Sequence, residues 1–185
     1  MSTATQRATL DDLYRFPGKA ELINGRIVPL MATGRRPNRI ASRIFRSLDD
    51  YAQAQGAGEA YTDDMGFAIP MLPSGREAFS PDASYYNGPF PADDMRFIEG
   101  PPTFAVEVRS DSDYGAAAEL GMAAKRADYF AAGTLVVWDV DPIADTIACY
   151  RAATPTQARM FRRADIADAE PAVPGWRIDV STIFA

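Results

Sequence analysis

The chain has 185 residues, 47% of them apolar and 11% aromatic, enough to fill one sizeable core. No apolar stretch approaches the roughly 20 residues of a membrane span. With no histidine and one cysteine, it excludes Ser-His-Asp and Cys-His catalysis, histidine zinc sites and an internal disulfide, and its net charge of −6 weighs against a general nucleic-acid coat, whose affinity rests on lysine and arginine. Hydrolytic chemistry here has carboxylates, lysine, water and a hard metal to work with.

Residues 1–6 are polar and lack a signal-peptide apolar region, so a cytoplasmic location with no membrane attachment is expected. Thr9 followed by Leu10, Asp11, Asp12, Leu13 and Tyr14 predicts a short helix capped by Thr9. Asn24-Gly25 between Glu21-Leu22-Ile23 and Arg26-Ile27-Val28 predicts a β-hairpin, because both turn residues tolerate the positive φ of a type I′ turn. From 38 to about 55, Ile40, Ile44, Leu48 and Tyr51 recur at helical spacing, and Gly56 and Gly58 end the run. Arg35, Arg36, Arg39, Arg43 and Arg46 crowd the start of this helix. They make either a solvated face or a phosphate-binding patch.

The middle of the chain reads as strands. Residues 65–69 alternate up to Pro70, a turn follows at 72–76, and 78–86 form a second arm containing Ser80-Pro81-Asp82. Residues 87–102, rich in Pro, Gly and Asp, predict a surface loop. In the next strand Phe104, Val106 and Val108 alternate with Ala105, Glu107 and Arg109, which puts Glu107 and Arg109 together on the face away from the apolar one. A carboxylate there needs a charge partner or a metal. Ser110-Asp111-Ser112-Asp113 predicts the N-cap of an alanine-rich helix over 114–132, stopped by Gly133, with Lys125 and Tyr129 one turn apart. Residues 135–140 form a continuous apolar run, typical of a buried strand beside a helical crossover. Further strands are predicted at 146–150 and 158–161, with a short terminal helix after Pro174-Gly175-Trp176, and Cys149 as a buried structural thiol. The expected architecture is one α/β domain over residues 1–185: a central mixed β-sheet flanked by helices, an N-terminal hairpin, and a strand–helix–strand unit at 104–140.

Asp82, Glu107 and Lys125 are the residues that carry chemistry. Carboxylates on neighbouring strands hold Mg²⁺ or Mn²⁺ through oxygen and leave positions for water and a phosphate. A nearby lysine can stabilise charge on phosphorus or position the attacking water. Of the chain's 19 basic residues only Lys19 and Lys125 are lysine, which singles out position 125. The structural alternatives are a turn-forming Asp82 after Pro81, an inert ion pair of Glu107 with Lys125 or Arg109, an exposed helical Lys125 and a surface Glu21. Trp138 and Trp176 read as core.

These parts, in this order, resemble the PD-(D/E)XK nuclease superfamily with its restriction-endonuclease-like fold, and within it the Uma-type "putative restriction endonuclease" family. The resemblance runs through Glu21-Leu22-Ile23-Asn24-Gly25, Ser80-Pro81-Asp82, Glu107-Val108-Arg109-Ser110, Lys125 with Tyr129 and Gly133, Trp138-Asp139-Val140-Asp141-Pro142 and Pro174-Gly175-Trp176, nearly the whole chain. It implies that Asp82 and Glu107 bind the metal, that Lys125 is the catalytic lysine displaced onto the helix, and that Glu21 is a further acidic residue of the site. It also implies a DNA substrate and a homodimer, with Arg35, Arg36, Arg39, Arg43 and Arg109 as candidate DNA contacts. The chain departs from the family pattern in carrying Asn38 where many relatives have histidine, and Asp111 where proline is common. Two readings follow: a Mg²⁺-dependent endonuclease acting on DNA, or a nuclease-like fold that binds nucleic acid or a protein without cleaving.

Overall fold

The computed structural model of the protein describes residues 7–185; the polar segment 1–6, read above as lacking a leader, lies outside them. Thr9 caps α1 (Leu10–Tyr14) through a capping box: its hydroxyl accepts from Asp12 N, and the Asp12 carboxylate accepts from Thr9 N. Asn24 and Gly25 take φ of 53° and 65°, the left-handed pair that a two-residue turn demands. They join β1 (Ala20–Ile23) to β2 (Arg26–Pro29) with Glu21 opposite Val28. The periodic helix, α2 (Arg35–Gln55), starts three residues earlier than its apolar spacing predicts. Pro37 sits in its first turn, where backbone N–H groups have no intrahelical partner to lose.

Next come β3 (Glu59–Thr62), β4 (Phe67–Ala68), β5 (Ala78–Phe79), β6 (Ala83–Tyr86), β7 (Ile98–Glu99) and β8 (Phe104–Val108). After β8 the chain forms α3 (Ala116–Ala132), β9 (Val136–Asp141), β10 (Thr146–Arg151), β11 (Thr154–Arg162), β12 (Ile166–Asp168), β13 (Arg177–Asp179) and α4 (Val180–Ile183). Six strands make the central mixed sheet in the order β11-β10-β9-β8-β6-β3, with β8 and β9 parallel and the other pairs antiparallel. The parallel pair is the one that the α3 crossover connects, as its sequence pattern requires.

Alternation along β8 and β9 separates two cores. Phe104, Val106, Val108 and Trp138 pack with Ile40, Ile44 and Leu48 of α2 and with Trp176, so both tryptophans are core, and Cys149 is buried beside them. Ala105 and Val137 face the other way, against Phe79 and Tyr129 of α3. By the same parity Glu107 projects onto the α3 side of the sheet.

Two expectations need correction. Residues 110–113 do not cap α3: its N-cap is Gly115, at φ 96°, with no side-chain bond. Asp113 Oδ2 instead accepts from Ser110 N and Oγ, both at 2.7 Å, closing a local turn that competes with helix initiation. The loop at 87–102 is not wholly irregular, because β7 within it pairs parallel to β4.

Candidate active site

The register between β6 and β8 builds the site. Ala83 pairs with Val106 and Ser84 with Ala105, so Asp82, the residue just before β6, comes to the end of β8 that carries Glu107. Asp82 N donates to Val106 O at 3.0 Å, and Asp82 Oδ2 accepts from Val108 N at 2.7 Å, which fixes the aspartate to the end of β8.

Glu107 is held from α3. Tyr129 Oη donates to Glu107 Oε1 at 2.6 Å, and Lys125 Nζ lies 2.9 Å from both Oε1 and Oε2. The spacing of Lys125 and Tyr129 places both over the same carboxylate, and the Tyr129 ring stacks on Phe79 at a centroid distance of 4.1 Å. Glu21 reaches the same lysine from β1, with Lys125 Nζ 3.1 Å from its Oε1, and accepts a further bond from Ser80 N at 3.2 Å. Its other oxygen accepts from Arg76 Nη1, while Arg76 Nε donates to Asp128 at 2.8 Å. Glu21 is 3% and Arg76 7% exposed.

Electrostatics follow from this packing. Burial pushes the Glu107 carboxyl up, Lys125 pulls it down, and the carboxylates of Asp82 and Glu21 push it up again, leaving it above its ordinary value. Burial would also raise Glu21, but Lys125 and Arg76 outweigh it and leave Glu21 lowered. Burial acts against the Lys125 ammonium, yet Glu107 and Glu21 hold it well above the usual lysine value. Tyr129 is raised well above its ordinary value by burial and by Glu107, so it is a hydrogen-bond donor and not a base.

Asp82, Glu107 and Lys125 line one cleft of about 700 Å³, together with Lys19, Ser80, Arg109 and the segment 29–34. A smaller cavity of about 240 Å³ on the other flank of Asp82 is lined by Asn38, Ser42, Asp63 and Val108. Lys19 Nζ lies 3.6 Å from Asp82 Oδ1 and 4.0 Å from Asp63 Oδ2. Among the described residues, five carboxylates, of Glu21, Asp63, Asp82, Glu107 and Asp128, therefore share the charges of Lys19, Arg76 and Lys125. An excess of oxygen donors with a raised Glu107 suits a hard divalent cation, which relieves that repulsion. Among the described residues no three His, Cys, Asp or Glu side chains converge into a full protein cage. Asp82 and Glu107 are the carboxylates of this set that line the cleft, with oxygens that could serve such a cation.

The predicted arginines lie outside the carboxylate cluster, those of α2 along one groove of their own. Arg109 is committed to Asp139, with Nε–Oδ1 at 2.8 Å and Nη2–Oδ2 at 2.9 Å, and to Glu119. Arg36 pairs with Asp145 at 2.6 Å, and Arg43 donates to Ile183 O at 2.9 Å. Arg35 and Arg39 are exposed beside them, in a separate groove formed with Phe184 and Ala185. Glu21 sits behind Lys125 and does not line the cleft. Sequence reasoning missed Arg76, which looks like any turn arginine after Ser74-Gly75. It also passed over the siting of Lys19, for which the scarcity of lysine was a usable signal.

The family model Uma2, described as "Putative restriction endonuclease", matches residues 10–181 of the chain. No curated protein matches it. Among solved structures it is similar to "a putative nuclease belonging to DUF820 from Anabaena variabilis ATCC 29413", with a TM-score of 0.73 and 18% identity, covering 95% of this chain and 97% of that one. At that identity the likeness speaks for the fold: an α/β arrangement with a central mixed sheet flanked by helices.

Proposed function

The chain belongs to the Uma2 family, described as "Putative restriction endonuclease", and from that premise we propose that it is a Mg²⁺- or Mn²⁺-dependent endonuclease that hydrolyses DNA phosphodiester bonds as a single cytoplasmic domain. The observation that supports this reading is that Asp82 and Glu107 line one cleft, with Lys125 against Glu107. Asp82 and Glu107 would hold the cation. When bound, it supplies Lewis-acid stabilisation of the phosphoryl group and lowers the pKa of water.

The protein's own groups have narrower tasks. Lys125 keeps Glu107 ionised and oriented, because its ammonium sits against both carboxylate oxygens. Tyr129 fixes the rotamer of Glu107 from the far side. Glu21 sets the position of Lys125 from behind, and Arg76 in turn holds Glu21, so both act on the lysine and not on the substrate. Arg35 and Arg39 are exposed at the α2 start, suited to phosphates away from the cleft.

The homodimer is part of the same reading, supported by β11, an edge strand of the central sheet that is exposed along most of its length. Cleavage of supercoiled plasmid in Mn²⁺, with EDTA and Glu107→Gln as controls, tests the nuclease reading. Turnover abolished by either control supports it. Persistence in EDTA, or a fully active Glu107→Gln protein, overturns it. DNA binding without cleavage in either metal leaves the non-cleaving module, which the internally neutralised Lys125–Glu107 pair favours.

A further inference from the structure

We propose, resting on the nuclease reading above, that Lys19 and not Lys125 is the lysine that binds the substrate phosphate. A phosphodiester entering the cleft needs a cationic donor with hydrogens to spare. Three basic side chains line the cleft: Lys19, Arg109 and Lys125. Arg109 is spent on Asp139 and Glu119. Lys125 donates to Glu107 Oε2 at 2.9 Å and has Glu107 Oε1 and Glu21 Oε1 at 2.9 and 3.1 Å, so its ammonium is crowded by carboxylate oxygens and its charge is committed to them.

Lys19 differs on each count. Its backbone is anchored where the chain enters β1, with Leu30 N donating to Lys19 O at 2.9 Å. Its side chain is only 16% exposed, so the stem is packed and the head is carried at the cleft wall. Its ammonium lies 3.6 Å from Asp82 and 4.0 Å from Asp63, inside ion-pair range but beyond hydrogen-bond distance. Among the described residues its three donors form no hydrogen bond. The two carboxylates hold the ammonium beside Asp82 without using its hydrogens, which leaves them for the non-bridging oxygens of a phosphodiester. The two lysines of the chain thereby divide the work: Lys125 organises the carboxylates, and Lys19 takes the phosphate.

Having only two lysines makes a direct test possible. Protein labelled with ¹³Cε-lysine gives two ε-methylene signals, assigned by the loss of one in Lys19→Arg. Titration with dimethyl phosphate in Mg²⁺ is expected to move the Lys19 signal progressively and leave that of Lys125 in place. Movement of Lys125 alone, or of neither, overturns the assignment. This readout needs no cleavage, so it decides Lys19 even if the plasmid assay rejects the nuclease reading. A stationary Lys19 signal in a cleaving protein rejects Lys19 alone. In a cleaving protein Lys19→Gln should raise KM for DNA more than it lowers kcat, and reduce the salt slope of DNA binding in Ca²⁺ by about 0.9, the value of one phosphate contact. Lys19→Arg should restore the slope, which a merely structural loss would not allow.

Discussion

Lys125 Nζ stands 2.9 Å from each carboxylate oxygen of Glu107 across the α3–β8 interface. The two side chains are each about one-fifth exposed, so this is a partly desolvated pair and not a surface contact. Its partner Glu21 is deeper still, and the lysine is the shared counter-ion of both acids. Removing one member of such a cluster strands charge in a low-dielectric site.

Lys125→Met should therefore lose cleavage and also destabilise the fold, by about 3 kcal/mol, the low end for breaking a buried pair because the lysine retains some solvent contact. Urea denaturation should show a lower midpoint at unchanged slope. Mn²⁺ affinity should not fall, since the substitution removes a cation that competes for Glu107. A stable, cleavage-competent Lys125→Met protein would remove this lysine from the site.

Arg76→Met strands two acids, Glu21 and Asp128, both of which the guanidinium bonds. The expected cost is about 3–5 kcal/mol. Adding Glu21→Gln should recover part of it, because the second substitution removes one of the stranded charges. The double variant is thus less destabilised than the sum of the singles, with a coupling of about 0.5–3 kcal/mol. Strict additivity in a double-mutant cycle would deny that Arg76 acts through Glu21.

The pH behaviour separates the two acids. Glu107 is raised above 4.5, so its protonated form persists to higher pH in the folded state. Its contribution to stability is present below 4.5 and is lost as pH rises through the folded value. Glu21 is lowered below 4.5, so its contribution is present above 4.5 and is lost as pH falls through its folded value. Protons should compete with Mn²⁺ at Glu107 already above pH 4.5, and calorimetric affinity should decline from that side. Affinity that stays flat down to pH 4.5 in the wild type contradicts this. In Glu107→Gln the decline should disappear along with most of the binding.

For assembly, light scattering should return about twice the 20.1 kDa mass of one chain. A single-chain mass at high concentration rejects pairing through β11.

Some of this was legible before any coordinates. The Asn24-Gly25 turn, the Thr9 cap and the Ile40–Ile44–Leu48 stripe follow from local sterics and side-chain period, which act over a few residues and need no tertiary partner. Strand parity alone took Glu107 off the apolar face. What parity cannot give is the identity of the partner. Glu21 and Arg76 lie 55 residues apart, and Ser80 and Glu21 lie 59 apart. Lys19 meets Asp82 only because the hairpin docks beside the start of β6. Such pairings are decided by which buried charges must be neutralised once the cores close, a long-range condition that leaves no period in the sequence. The same condition separated the equivalent-looking arginines, spending Arg76 and Arg109 inside ion pairs and leaving Arg35 and Arg39 to solvent. Sequence by itself determined the α/β fold class and the face of its strand on which Glu107 stands; the tertiary structure alone decided which cations reach the carboxylates, because only packing says where charge loses its water.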